Sequence, residues 1–117
     1  MSDITIYHNP RCSKSRQSLA LLEEKGAQPD VVLYLETPPS SAELTDILAK
    51  LGMAPRELMR KGESVFKEQN LGDAGLSDSD LVEAMVANPI LIERPIVVKG
   101  DRALIGRPPE NVLELID

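Results

Sequence analysis

The sequence has very little cysteine, histidine and aromatic residue, and each scarcity excludes a class of protein. Its 117 residues include one cysteine, one histidine and no tryptophan, and aromatic residues make up 3% of the chain. A single cysteine cannot form an internal disulfide, and one histidine with one cysteine is a poor ligand set for zinc. The lack of aromatic side chains argues against a surface that stacks single-stranded nucleic acid. The sequence therefore predicts a reduced, intracellular protein without a structural metal.

Long apolar runs and an overall positive charge are also absent. No run approaches the roughly 18 apolar residues that a membrane span needs, and no basic-then-apolar leader opens the chain. The net charge of −6 argues against general binding of polyanions such as nucleic acids. With 42% hydrophobic and 27% charged residues, the composition is that of a globular protein. We expect one cytoplasmic domain over residues 1–117 that is monomeric and binds neither nucleic acid nor membrane.

Acidic residues are missing from one segment, and that segment holds the cysteine. Residues 4–22 contain no Asp or Glu but three cations, Arg11, Lys14 and Arg16. The segment therefore carries +3 and the remainder of the chain −9. A cationic patch around Cys12 in an acidic protein predicts a site for a small anion rather than for a long polyanion. The alternative is that these cations only solvate one face of a helix.

The pattern of apolar residues predicts the order of the secondary structure. A strand at 3–7, a helix from Ser13 to Lys25 and a buried parallel strand at 31–35 would form a βαβ unit. A helical insert follows at about 40–88. Its predicted helices are one capped by Ser40 or Ser41 and ended by Gly52, a short one over 55–61 and one opened by Ser77. Residues 64–71, between the last two, are predicted to form a turn or a helix.

Strand signals return after the insert. The segments 94–98 and 102–106 predict a hairpin that turns at residues 99–101. A last helix over 107–116 starts with two prolines. The order β-α-β, helical insert, β-β-α predicts an α/β protein with a thioredoxin-like fold, in which helices flank a mixed four-stranded sheet.

Cys12 is predicted to lie at the start of the first helix, where a thioredoxin-like fold keeps its reactive sulfur. Free N–H groups at a helix N-terminus and nearby cations favour the thiolate, which is the nucleophilic form of cysteine. The same amides can hold an oxyanion. His8, four residues earlier, is interpreted as a group that favours the thiolate. The alternatives are a buried structural cysteine and an ordinary polar residue at a strand end.

Two known cysteine motifs are absent around Cys12, and their absence limits the reactions that the thiol can carry out. A phosphatase-type C-x5-R loop needs arginine at position 18, which is Ser18, whereas the motif present is C-x3-R through Arg16. A C-x-x-C redox pair needs a second cysteine at position 9 or 15, which are Asn9 and Ser15. Cys12 is therefore predicted to act alone, and an external thiol such as glutathione or a small redox protein must resolve its oxidised or adduct forms.

Five segments carry a resemblance to a known family over essentially the whole chain. They read ITIYHNPRCSKSR, VVLYLETPP, ELMRKGE, NPILIERPIVV and IGRPPENVLELI. In this order they resemble the glutaredoxin-coupled arsenate reductases of bacteria, which have a thioredoxin fold. The resemblance implies that Cys12 attacks arsenate and that His8 helps to keep it ionised. It also implies that three arginines bind the oxyanion: Arg60, Arg94 and Arg107.

The resemblance further implies supporting residues and co-reactants. Pro95, directly after Arg94, lies where thioredoxin-like folds place a cis-proline that faces the reactive cysteine. Ser15 and Arg16 are expected to support the cysteine loop. The protein would bind no cofactor and would use glutathione as co-substrate and glutaredoxin as partner. The implied reaction is the reduction of arsenate to arsenite.

Two other functions stay open at this point. One is a monothiol oxidoreductase that acts on glutathione adducts and needs no oxyanion. The other is a non-enzymatic, redox-sensing regulator of the same fold that binds RNA polymerase, although such regulators often carry the C-x-x-C motif that this sequence lacks.

Overall fold

The computed structural model describes residues 4–93 and 95–116, which fall into two units by their internal contacts. The first unit holds the described residues up to Thr37 and from Pro95 onward, and the second is Pro38–Glu93. The second unit contains the helical insert predicted at about 40–88. Across the described residues, no helix is both long enough and apolar enough to cross a membrane.

A mixed sheet of four strands forms the centre of the first unit. The strands are β1 (Ile4–His8), β2 (Asp30–Leu33), β3 (Ile96–Lys99) and β4 (Arg102–Ile105). Their order is β2-β1-β3-β4, with β2 parallel to β1 and the other two pairings antiparallel. The predicted α/β class with a mixed four-stranded sheet is confirmed. Gly100 has a φ of +60° in the turn between β3 and β4, a conformation that glycine adopts without steric cost.

Two helices cover one face of this sheet. The helix α1 (Ser13–Glu24) and a 3₁₀ helix (Pro109–Leu115) contact each other, and they contact β1 and β4 respectively. The last helix was predicted as an ordinary helix. It is a 3₁₀ helix instead, and the N–H of Asn111 already bonds to the carbonyl of Pro108, three residues earlier. The core under these helices comprises Ile4, Ile6, Leu22, Val97, Val112 and Leu115.

The prediction of a buried strand at 31–35 is wrong in burial and in extent. The strand is Asp30–Leu33, and it pairs in parallel with β1 as predicted. However, Val31 is 45% exposed and Leu33 is 37% exposed. A continuous apolar run is typical of a parallel strand that is covered on both faces. The sheet order places β2 at an edge, which the run of residues by itself does not reveal.

Helices make up most of the second unit. They are α2 (Ser41–Leu51), α3 (Pro55–Leu58), α4 (Ser64–Glu68), α5 (Asp78–Ala87) and a 3₁₀ turn at Pro89–Leu91. α5 contacts α2, α3 and the 3₁₀ turn.

The ends of α2 and α5 follow from side-chain capping. The Oγ of Ser40 accepts the N–H of Glu43, and the Glu43 carboxylate accepts the N–H of Ser40. Ser77 and Asp80 form the same reciprocal pair at the start of α5. α2 is followed by Gly52 with a φ of +68°, which closes the helix in the left-handed conformation.

The predicted helix over 55–61 ends three residues early. α3 stops at Leu58 because Met59 is extended and forms an antiparallel bridge with Ile92. The N–H of Arg60 donates to the carbonyl of Leu91 at 2.7 Å. A long-range pairing has therefore replaced the last helical turn and fixes the backbone at Arg60.

Candidate active site

Cys12 is the N-cap residue of α1, directly after the loop that leaves β1. Its backbone is extended, its carbonyl accepts the N–H of Arg16 at 3.0 Å, and its own N–H donates to the carbonyl of Asn9 at 3.0 Å. The residue is 8% exposed. The thiol is therefore fixed at the positive end of a 12-residue helix, as predicted from the sequence.

Arg107 is the cation that the fold brings to this sulfur. Its Nη2 donates to Cys12 Sγ at 3.6 Å. Arg107 follows Gly106, whose N–H bonds to the carbonyl of Pro95 at 2.9 Å. A Cβ atom at position 106 would lie 2.8 Å from Pro95 Cγ and would also clash with Ser18 Oγ. A glycine at this position lets the end of β4 approach α1 closely enough for Arg107 to reach the thiol.

A buried hydrogen-bond network holds the loop before Cys12. Ser15 Oγ lies 2.7 Å from His8 Nδ1 and accepts the N–H of Asn9 at 3.0 Å. The Ser15 hydroxyl has one hydrogen and a second lone pair left for Nδ1, so this contact suits either neutral tautomer of His8. Asn9 Oδ1 in turn accepts the N–H of Arg11 at 3.0 Å. The strand end, the loop and the first turn of α1 thus form one bonded unit.

The environment of His8 favours the neutral ring. Burial lowers the pKa of His8 below its ordinary value of 6.5, the positive charge of Arg16 lowers it further, and the Glu23 carboxylate opposes both effects. At pH 7 the ring is therefore uncharged. Any help that His8 gives to the thiolate at that pH has to come from loop geometry or from the dipole of the neutral ring, not from a full charge.

Arg16 and Asn9 act on the loop backbone. Arg16 Nη1 donates to the carbonyl of Pro10 at 2.8 Å, so Arg16 braces the turn that precedes the cysteine. The sequence reasoning treated Asn9-Pro10 only as a turn signal and missed that Asn9 uses its N–H, its carbonyl and its side chain here. Asparagine directly before proline in a short βα loop was the available signal.

Of the two other predicted oxyanion ligands, Arg60 and Arg94, the structure describes Arg60. Arg60 belongs to the second unit, where its Nη1 lies 2.8 Å from Glu63 Oε2 and its Nε 3.9 Å from Glu93 Oε1. Sequence reasoning did not anticipate these carboxylates, although the spacing of Arg60 and Glu63 suits an ion pair. Arg94 lies outside the described residues, and so does the bond for which a cis-proline was expected.

The structure also bears on the predicted proline and on metal binding. Pro95 itself is buried, and the cis peptide bond found in the described chain joins Arg107 to Pro108. Within residues 4–93 and 95–116, no group of three or more His, Cys, Asp or Glu side chains is arranged to hold a metal ion.

Comparison with known proteins identifies the family behind this geometry. The model of the ArsC family matches residues 7–115. The chain belongs to the ArsC family. The resemblance drawn from the five sequence segments is therefore confirmed at the level of the family.

Relatives of this ArsC protein cover almost its whole length. An Escherichia coli K12 protein named as the uncharacterized protein YfgD is 60% identical over 97% of this chain and 96% of its own. A Haemophilus influenzae protein named arsenate reductase is 51% identical over 97% of this chain and 98% of its own. The solved structure of an arsenate reductase from Vibrio cholerae superposes with a TM-score of 0.93 at 55% identity, covering 95% of each chain. The thioredoxin-like fold is thereby confirmed.

Proposed function

We propose that this ArsC protein is an arsenate reductase that uses Cys12 as nucleophile and takes its electrons from glutathione and glutaredoxin. The observation that carries the proposal is the contact between Arg107 Nη2 and Cys12 Sγ at 3.6 Å at the N-terminus of α1. A guanidinium in that position can stabilise negative charge on the sulfur. It can also donate hydrogen bonds to an oxyanion that is bonded to the sulfur. Relatives named arsenate reductase at about half identity support the choice of arsenate.

In the first step the Cys12 thiolate attacks the arsenic of arsenate. A sulfur–arsenic bond forms, an arsenic–oxygen bond breaks, and the oxygen leaves as water after protonation, while arsenic stays As(V). Arg107 neutralises the remaining oxyanion charge. The family resemblance assigns Arg60 and Arg94 to the same role.

The reduction then needs two external thiols. Glutathione forms a second sulfur–arsenic bond and releases a second water. The glutaredoxin thiolate attacks the glutathione sulfur, a mixed disulfide forms, and the electron pair of the broken sulfur–arsenic bond reduces As(V) to As(III). Water then releases arsenite and restores the Cys12 thiol. The chain supplies one thiol, so both electrons come from outside, which requires the reducing compartment expected for a cytoplasmic protein.

The test is arsenate-dependent consumption of reduced glutathione by the purified chain in the presence of glutaredoxin. We expect turnover by the wild type, none by Cys12→Ser, and a loss of about 10- to 100-fold in kcat/KM for Arg107→Ala, because an oxyanion ligand is removed. Arg102→Ala is the matched control. It removes an arginine of β4 whose guanidinium contacts the carbonyl of Glu114, and we expect wild-type turnover.

Two outcomes would contradict the proposal. Absence of arsenate turnover with every thiol supply would exclude the reductase. Rapid reduction of a glutathione mixed disulfide, without arsenate and with no effect of Arg107→Ala, would favour the monothiol oxidoreductase instead.

A further inference from the structure

Three exposed apolar side chains line the outer edge of the sheet next to the cysteine loop. Val31, Leu33 and Leu35 alternate along the chain and are 45%, 37% and 40% exposed. The strand register places Val31 opposite Ile6 and Leu33 opposite His8. The side chains of Val31 and Leu33 therefore leave the sheet on the same face as alternate residues of β1, and Leu35 follows in the turn after β2. We refer to Val31, Leu33 and Leu35 as the β2 row.

A groove connects this row to the reactive loop. A cavity of about 240 Å³ is lined by Pro10 and Arg11 of the loop together with the last two residues of the β2 row. A second cavity of about 320 Å³ continues along the strand past Val31. Both cavities share Leu33 and Glu36. The concave surface therefore begins at the residue before Cys12 and follows β2.

The β2 row is unusual for a sheet edge. Within the described residues four large apolar side chains are exposed, and the fourth, Ile90, lies alone in the second unit. Isolated exposed apolar residues are common on protein surfaces. A run of them on an open edge is what natural sheets normally avoid with charges, prolines or bulges, because it invites pairing with another chain. β2 pairs with β1 and with no other described strand.

We propose that the β2 row and the adjoining loop form the docking surface for the protein thiol donor. This inference rests on the proposed function, in which a protein cysteine must reach a glutathione sulfur held at Cys12. A protein whose reactive cysteine is framed by apolar residues would cover the row. Free glutathione is a small polar tripeptide and gains nothing from it.

The charges near the groove specify the partner further. The two cavities are lined by one cation, Arg11, and one anion, Glu36. Lys14 and Arg16 in the first turn of α1 add positive charge on the side of the cysteine loop, and the exposed Asp30 at the start of β2 adds negative charge at the far end. The partner surface is therefore apolar at its centre and acidic on the side that faces the cysteine loop. A second copy of this chain is a poorer occupant, because two molecules of net charge −6 repel each other.

The experiment uses a reaction that contains no arsenate. Cys12 is first converted to its glutathione mixed disulfide by exchange with glutathione disulfide, which releases one glutathione. A donor thiolate then attacks the glutathione sulfur, the bond to Cys12 breaks, and Cys12 leaves as thiolate. The measured quantity is the second-order rate constant of this step, once with purified glutaredoxin and once with dithiothreitol.

We expect Val31→Thr combined with Leu33→Thr to lower the glutaredoxin rate constant about tenfold or more and the dithiothreitol rate constant less than about twofold. Threonine is β-branched and suits a strand, so it replaces apolar surface at both positions without disfavouring β2. Ile90→Thr is the matched control, because Ile90 is as exposed as Val31 at 45%, and both rate constants should stay at the wild-type level. Leu35→Ser, beyond the end of β2, tests the row without touching strand pairing, and we expect it to act in the same direction.

Three results would overturn the inference. The first is an unchanged glutaredoxin rate constant in the row variants. The second is equal slowing with both donors, which would indicate a distorted cysteine loop. The third is a wild-type dimer in sedimentation experiments that becomes monomeric in the row variants, while the glutaredoxin rate constant stays unchanged. Because arsenate is absent throughout, failure of arsenate reduction in a separate assay would bear on the proposed function alone.

Discussion

At the scale of single residues, the contact between Arg107 and Cys12 joins two positions that are 95 apart in the chain. The helix N-terminus is a local property of the Cys12 loop, whereas the guanidinium arrives only when Gly106, directly after β4, packs against Ser18 of α1. The two contributions act on the same sulfur and can be separated by changing Arg107 alone.

We expect Arg107→Ala to slow the alkylation of Cys12 by iodoacetamide at pH 7 by about three- to tenfold, because the positive charge that contacts the attacking sulfur is removed. Arg107→Lys should be intermediate, because lysine retains the charge without the paired donors. The rate of mass increase in a time course measures the effect, and Arg102→Ala is the control. An unchanged rate in Arg107→Ala would mean that Arg107 does not contribute to the reactivity of the thiol.

His8 predicts a pH dependence of stability. Its pKa is lowered in the folded state from about 6.5 in the unfolded chain, so the unfolded state binds the proton more readily. The stability associated with neutral His8 is fully present above pH 6.5 and is lost as the pH falls below it, by at most about 1.4 kcal/mol per pH unit. The loss ends at the lowered folded-state pKa.

Urea unfolding at pH 7.0 and pH 5.5 measures this dependence. We expect the wild type to lose stability between the two values, and His8→Asn to lose clearly less, because the sequence contains no second histidine. Equal losses in both proteins would show that carboxylates, not His8, cause the change.

At the scale of elements, the approach of β4 to α1 depends on the absence of a side chain at Gly106. A methyl group there would lie 2.8 Å from Pro95 Cγ and would clash with Ser18. We expect Gly106→Ala to lower the free energy of unfolding by about 1–3 kcal/mol, the range typical of overpacking. It should also slow Cys12 alkylation, because Arg107 is the next residue.

Gly62→Ala is the matched control, since a Cβ there has no atom within 4 Å, and we expect little or no loss of stability. Chemical denaturation of both variants gives the comparison. Equal stability of Gly106→Ala and wild type would mean that β4 and α1 can separate at no cost.

Elements were predictable where the signal is local. The starts of α2 and α5 are set by Ser40 and Ser77 with acidic residues three positions later, and these short-range bonds can be recognised in the sequence. The end of α3 was not predictable, because Met59 leaves the helix to pair with Ile92. Met59 and Ile92 are far apart in the sequence, so their pairing can compete with the last turn of the helix only once the chain has folded.

At the scale of the whole molecule, an acidic protein offers a cationic site to an anion. Charges beyond roughly 10 Å are screened at 0.1 M salt, so the local +3 of residues 4–22 should outweigh the remaining −9 at Cys12. The charge preference of a thiol is the ratio of its rate constant with anionic iodoacetate to its rate constant with neutral iodoacetamide. We expect this ratio to be about threefold higher for Cys12 than for free glutathione.

Raising the salt concentration should remove most of this preference. The iodoacetate rate constant should fall, and the iodoacetamide rate constant should change little. A preference lower than that of free glutathione would show that the net charge of the molecule dominates at the thiol.

The sequence by itself determined the βαβ start, the hairpin, the helical insert and the position of Cys12 at a helix N-terminus. Each of these depends on neighbours within a few residues. That the proposed reaction would need an outside thiol also follows from composition, since the chain has one cysteine.

The tertiary structure alone decided which groups meet that cysteine and which strand lies at the edge. Arg107 reaches Cys12 because the preceding Gly106 packs against Ser18 of α1. Ser15 links His8 to Asn9, and Arg60 pairs with Glu63 and Glu93. The apolar segment that suggested a buried strand became the exposed β2 row, because strand order depends on the pairing of distant segments. The docking surface proposed here exists for that reason.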